Sequence, residues 1–300
     1  MNPRSVIKRL KAVTDGDLSA GHRKEALREV CTLQLVGKHK NVVELIDVGE
    51  DITGVYLVFA LAGVDMRKHL QERGAPTHGA TRSIWAQLAH GISHIHGHGV
   101  IHRDLSLKNI LVAGECEESW HVRVSDFGSA CLALKERQQT PLPLSYVMKH
   151  GVQVCTLWYR PPEILAGSQA FSEAFDIWSL GCIFCELAIN EPLFRADTED
   201  KLLKTILRKR GSRKLTGLET MPLWPSQTPK IAEAPWPQEV YSKVGLAGVD
   251  LLCGMLDLGP VKRMPIIDSE RTRISTRGPY SCLGIPSAAQ RGKETVQSGI

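Results

Sequence analysis

The 300-residue chain is 43 % hydrophobic and 23 % charged, an ordinary globular balance that excludes a collagen-like or wholly disordered chain. Its longest nearly apolar runs, 55–64 and 180–189, reach ten residues, against the ~20 that a membrane span needs, so no membrane partner is expected. A net charge of +5 is too mild to imply nucleic acid.

The first 65 residues read as a small mixed region. Ser5 to Lys8 is predicted to be the end of a strand, and Thr14 to Gly21 a loop. Ala26, Glu29, Val30 and Leu33 recur three to four apart, which predicts a helix over 22–36. Val42 to Val48 and Val55 to Leu61 are short β-rich runs around the turn-like string GEDITG. After Asp65 long helices are expected. Ile84, Leu88, Ile92 and Ile95 keep helical spacing, and 173–189 is apolar almost all round, the pattern of a helix buried on every side. Residues 129–153 and 209–240 read as long loops, and 266–300 as a mobile polar tail.

Three strings carry chemistry. His102-Arg103-Asp104-Leu105-Ser106-Leu107-Lys108-Asn109 sets an aspartate and an asparagine five apart, one able to accept a hydroxyl proton and the other to hold a divalent ion. Ser125-Asp126-Phe127-Gly128 adds a second hard oxygen ligand and a glycine for a sharp turn. Trp158-Tyr159-Arg160-Pro161-Pro162-Glu163 closes the loop that follows. Taken singly, Asp104, Asn109 and Asp126 could each be a cap or turn residue.

In this order the strings resemble the catalytic loop, the metal-binding DFG and the APE of protein kinases. The resemblance spans about residues 5–263 and implies an α+β, bilobal kinase fold. It divides the chain into a β-rich N-lobe truncated before the strand lysine (1–59), a mostly helical C-lobe (60–265) and the tail. It implies ATP and Mg²⁺ as cofactors, with Asn109 and Asp126 on the metal and Asp104 on the acceptor hydroxyl. Lys8, in SVIK, matches the lysine that contacts the α- and β-phosphates, and Glu29 its ion-pair partner. Leu33, Leu45, His102 and Phe127 match the hydrophobic spine. Asp176 matches the aspartate that bonds to the catalytic-loop backbone, and Arg263 the partner of Glu163.

KEALREV, HGVIHRDL, CTLWYRPPEIL and FDIWSLGCIFCEL are similar to cyclin-dependent kinases. That branch implies a cyclin bound at the Glu29 helix and a protein substrate with Ser or Thr before Pro, the pocket being shaped by Val154, Cys155 and Arg160. It also implies adenine against backbone groups of Ala60 and Ala62, the ribose near Asp65, and Leu111 at the nucleotide. The Pro-Pro-Glu form resembles the transcription-linked members and DIWSLGCIF the cell-cycle ones, so both roles stay open.

The chain departs from the pattern in three places. No G-x-G-x-x-G occurs in it, so a weak phosphate clamp is expected. Ser106 stands where serine/threonine kinases carry a lysine, which leaves Lys108 as the nearest cation. Thr140, Ser145 and Tyr146 are out of register with the family's phosphorylated threonine, which falls near Gly151. Two readings follow: a serine/threonine kinase, or a non-catalytic kinase-like binding module or product of an incomplete gene. The eight cysteines and the opening MNPRSVIKRLK, without an apolar signal core, predict reduced thiols in an intracellular protein of nucleus or cytoplasm. Cys182 and Cys185 are expected in the core rather than on a metal, and His94, His96 and His98 form a poor metal set. RKRGSRK, at 208–214, reads as a solvated basic face, with a nuclear signal or phosphate-binding patch as the alternative.

Overall fold

A computed structural model describes residues 5–11, 18–51, 54–133, 156–168, 170–211, 218–224 and 234–266. The expected tail from 267 on and most of the 129–153 loop lie outside them, as do Thr140, Ser145, Tyr146, Gly151, Val154 and Cys155.

Strands β1 (Ser5–Lys11), β2 (Leu45–Asp51) and β3 (Gly54–Ala60) form an antiparallel sheet in the order β1-β3-β2. Lys8 stands opposite Leu57, a fully buried residue. Facing positions of an antiparallel pair share one face, so the register puts the Lys8 side chain on the inner side of the sheet. Helix α1 (Leu18–Val36) buries Ala26, Glu29, Leu33 and Val36 on that side. The helix starts four residues before the expected His22 and takes the end of the predicted 14–21 loop. One glycine inside a helix costs only about 1 kcal/mol, so Gly21 does not stop it. β1 is a full strand of seven residues rather than a strand end.

Val42 and Val43 are not the start of β2. Val42 bridges Val124, and the Val43 N–H donates to the Val124 carbonyl at 3.0 Å. These two buried valines tie the N-terminal sheet to the section below it. The hinge after β3 approaches that section closely: at Gly63, with φ +102°, a Cβ would lie 1.9 Å from the Val112 carbonyl oxygen.

Strand β4 (Val64–Asp65) leads into α2 (Met66–Arg73), which Asp65 caps by accepting from the Lys68 N–H at 2.8 Å. Helix α3 (His78–Gly97) buries Ile84, Leu88, Ile92 and Ile95, as their spacing predicts. β5 (Val100–Ile101) pairs with β8 (Cys131–Leu132), and β6 (Ile110–Ala113) lies between β4 and β7 (His121–Val124). The short α4 (Pro162–Leu165) precedes α5 (Glu173–Ile189), the helix predicted to be buried all round; its residues 175–188 are all buried, Cys182 and Cys185 among them. Burial pushes the Cys185 thiol up to about 12. Helix α6 (Glu199–Arg210) is followed by α7 (Gln238–Met255), which is broken at Gly245 with φ +69°. No helix among the described residues is long and apolar enough to cross a membrane.

Asp176 is fully buried inside α5 and gathers three donors: the His102 N–H at 2.8 Å, the Arg103 N–H at 2.9 Å and His96 Nε2 at 2.8 Å. Burial alone would raise this carboxyl, but the donors outweigh it and hold its pKa below 3.8. Its contribution to stability is therefore present above the unfolded value and lost as pH falls through the folded one. Asp176→Ala orphans two backbone N–H groups and is expected to cost about 3 kcal/mol, read by chemical denaturation at pH 7. A loss well under 1 kcal/mol would contradict this account.

Candidate active site

Lys8 is the meeting point of the site. Its ammonium lies 2.8 Å from Glu29 Oε2 and 2.9 Å from Asp126 Oδ1, so one cation joins β1, α1 and the turn after β7. Glu29 is 2 % exposed. Burial lifts its pKa, and Lys8 offsets only part of that rise. Burial works to lower the Lys8 pKa, and the two carboxylates reverse the shift and raise it. Burial likewise opposes ionisation of Asp126, but Lys8 prevails and holds this carboxyl below its ordinary value.

Asp126 adopts a left-handed backbone, φ 64° and ψ 78°. The strained turn lets its carboxylate face Lys8 while Phe127 is fully buried on the other side. Phe127 meets His102 edge-on with centroids 4.9 Å apart. His102 Nε2 is 3.0 Å from the Ser125 carbonyl, which can only accept; the ring therefore carries its proton on Nε2, and Nδ1 accepts from the Asp104 N–H at 3.2 Å. Ser125 also donates to the Asn109 carbonyl, from N–H at 2.8 Å and from Oγ at 3.0 Å. Leu33 is buried and Leu45 partly buried.

Asp104 lies between two donors. Its Oδ1 accepts from the Thr156 N–H at 2.9 Å and its Oδ2 from Asn109 Nδ2 at 3.1 Å. Burial raises its pKa and the nearby Asp126 charge adds to the rise, while the hydrogen bonds from Thr156 and Asn109 oppose it. Asn109 Nδ2 donates to the Asp104 carbonyl as well, at 2.7 Å. That bond fixes the amide orientation and turns Asn109 Oδ1 away from Asp104, where it can serve as a ligand.

The sequence matches the protein kinase domain over residues 2–269. The chain belongs to the protein kinase family. It is 37 % identical over 261 residues to Cell division control protein 2 homolog 3 of Trypanosoma brucei brucei, covering 85 % of this chain and 79 % of that protein. It is 32 % identical to Cyclin-dependent kinase B2-1 of Arabidopsis thaliana, over 79 % of this chain and 75 % of that one. It is 35 % identical to Cyclin-dependent kinase E-1 of the same plant, over 86 % of this chain but 57 % of that longer protein. These relatives place the kinase in the cyclin-dependent branch.

The family uses ATP with a divalent metal, and the donor set here fits both. Asn109 Oδ1 and the Asp126 carboxylate are hard oxygen ligands of the kind such ions take. At the hinge, the Ala60 N–H is spent on the Glu44 carbonyl at 3.0 Å, whereas the Ala62 N–H bonds to no backbone group among the described residues. Leu111, on β6, is partly buried and pairs with Asp65, whose Oδ1 is committed to the α2 cap. Lys108 is exposed and forms no hydrogen bond among the described residues, while Ser106 is buried. The Arg263 guanidinium grips Glu163 with two bonds of 2.6 Å.

Three sets of contacts were not readable from the sequence. Arg28 and Arg103 both bind the backbone after Phe127, donating to the Gly128 carbonyl at 2.8 Å and the Ser129 carbonyl at 2.7 Å. Glu186, the lone charge in the apolar stretch 180–189, is joined by Arg67 at 2.5 Å and by the Tyr159 hydroxyl at 2.6 Å. His96 belongs to the Asp176 cluster, and no group of three or more His, Cys, Asp or Glu side chains that could hold a metal ion exists among the described residues.

Carboxyl ¹³C titration is expected to place Asp126 below 3.8, and Lys8→Met should move it upward. An unchanged midpoint in the variant would show that Lys8 does not set the Asp126 charge.

Proposed function

We propose that this protein is a Mg²⁺- and ATP-dependent serine/threonine kinase that acts before proline and responds to a cyclin. The observation that carries this reading is the Lys8–Glu29–Asp126 cluster standing above the Asp104–Asn109 pair. Phosphoryl transfer depends mainly on positioning and charge stabilisation, and these five side chains provide both. When bound, Mg·ATP supplies the γ-phosphoryl group as electrophile. Asn109 and Asp126 would hold the metal, and Lys8, fixed by Glu29, would hold the α- and β-phosphates. Asp104, steadied by Thr156 and Asn109, would orient the acceptor hydroxyl and take its proton. Lys108, exposed near the same loop, would neutralise charge on the transferring group. Ala60 and Ala62 would meet adenine, Ala62 through its N–H, with Asp65 at the ribose and Leu111 beneath the ring.

Helix α1 supports the cyclin reading. Leu27, Cys31 and Leu35 repeat every four residues on the face opposite the buried one, and all three are exposed, Leu27 at 64 %. A partner on this stripe shifts activity only by binding more tightly when Glu29 is on Lys8. The proline reading rests on the strings around Val154, Cys155 and Arg160.

Radiolabelled phosphate transfer to a Ser-Pro peptide, with a panel of cyclins, tests the proposal. Activity is expected to be slow without a partner, to vanish in Asp104→Asn, and to lose only its cyclin stimulation in Leu27→Glu/Leu35→Glu. Its acid limb should lie above 3.8, because Asp104 must be ionised and its pKa is raised. Transfer that survives Asp104→Asn, or none from the wild type with any cyclin, would overturn the enzymatic reading and favour the binding module.

A further inference from the structure

Beside the string Trp158 to Glu163 lies a groove of about 560 Å³ lined by Trp158, Arg195, Lys201, Lys204 and Arg208, together with Asp197. We propose that it is a docking site for an acidic segment of the protein substrate, an assignment that rests on the kinase reading above.

The site is built by local geometry. Trp158 Nε1 donates to the Ala196 carbonyl at 2.7 Å, which fixes the ring. The Arg195 guanidinium lies over that ring, 5.7 Å from its centroid, a stacking that leaves its planar fork of N–H groups available to a carboxylate. Lys201, Lys204 and Arg208 follow at helical spacing along one face of α6. Lys201 and Lys204 hold Asp197 and Asp200 at 2.8 and 2.7 Å, exposed pairs of the weak i,i+4 kind that a competing carboxylate can replace. Glu199 is directed elsewhere, to Arg160. Arg195 and Arg208 form no ion pair among the described residues.

The position points to a substrate. Trp158 lies two residues beyond Thr156, whose N–H binds Asp104, and two residues span at most about 7 Å. An acidic segment in the groove would therefore hold its protein beside the group that handles the acceptor hydroxyl. Asp197 in the lining favours a peptide with a few spaced carboxylates over a densely charged polyanion, which it would repel.

Fluorescence anisotropy of a labelled peptide carrying a few spaced glutamates, on the full chain, tests docking without any need for turnover. Arg195→Glu/Arg208→Glu, with both sites exposed, is expected to weaken that binding at least tenfold, with an unchanged melting temperature. In the transfer assay it should raise the KM of a Ser-Pro peptide flanked on either side by a few spaced glutamates about tenfold. The kcat, and the KM of the plain Ser-Pro peptide, should stay as in the wild type. No binding by the wild type, equal binding by both proteins, or tighter binding of phosphatidylserine vesicles or single-stranded DNA through these arginines would overturn it. Loss of transfer to the plain peptide by the wild type would count against the kinase reading instead, since the binding arm stands by itself.

Discussion

The site is organised by one cation held between two carboxylates from different parts of the chain. Lys8 reaches Glu29 across 21 residues and Asp126 across 118. Glu29 is buried, and a buried carboxylate needs a counter-charge and hydrogen bonds if it is to stay ionised. The same ammonium supplies the field that keeps Asp126 ionised. Helix α1, strand β1 and the turn after β7 are thereby placed by a single electrostatic contact, and a partner acting on α1 acts on that contact.

Beneath it the catalytic loop is held by a different device. Asp176 receives the two successive N–H groups of His102 and Arg103, and Arg103 has a left-handed φ of 63° that this clamp supports. His102 then passes the constraint to Ser125, and Asn109 is held by the same serine. Asp104 and Asp126 thus stand on backbones fastened to each other and to the buried helix α5. Glu163 and Arg263 brace the same helix from outside, since Arg263 also donates to the Ala174 carbonyl at 3.0 Å.

Much of this was legible in the sequence because it lies in short strings. The apolar run at 173–189 marks α5 to the residue, since a helix buried on all sides leaves no polar face to blur its ends. Asp104, Asn109 and Asp126 were readable from spacing, and Lys8 and Glu29 from resemblance. What could not be read is contact at a distance: that His96 would serve Asp176, or that Arg67 and Tyr159 would enclose Glu186. Strands of two residues such as β5 and β8 are set by their partners and leave no periodic trace. Helix α2, MRKHLQER, has no apolar period of its own and is defined by the Asp65 cap. The groove at Trp158 was visible only in part, since Arg208 belongs to the basic run at 208–214 whereas Arg195 and Trp158 join it through the fold.

Lys8 and Glu29 act as one unit in placing Asp126. A double-mutant cycle of Lys8→Met and Glu29→Gln, with Mg·ATP affinity measured by calorimetry, tests this most directly. If the two are one unit, either single change costs nearly as much as both together, with a coupling of at least about 1 kcal/mol. Additive losses would mean that the two residues act independently, and the cluster would then not be the organising contact of the site.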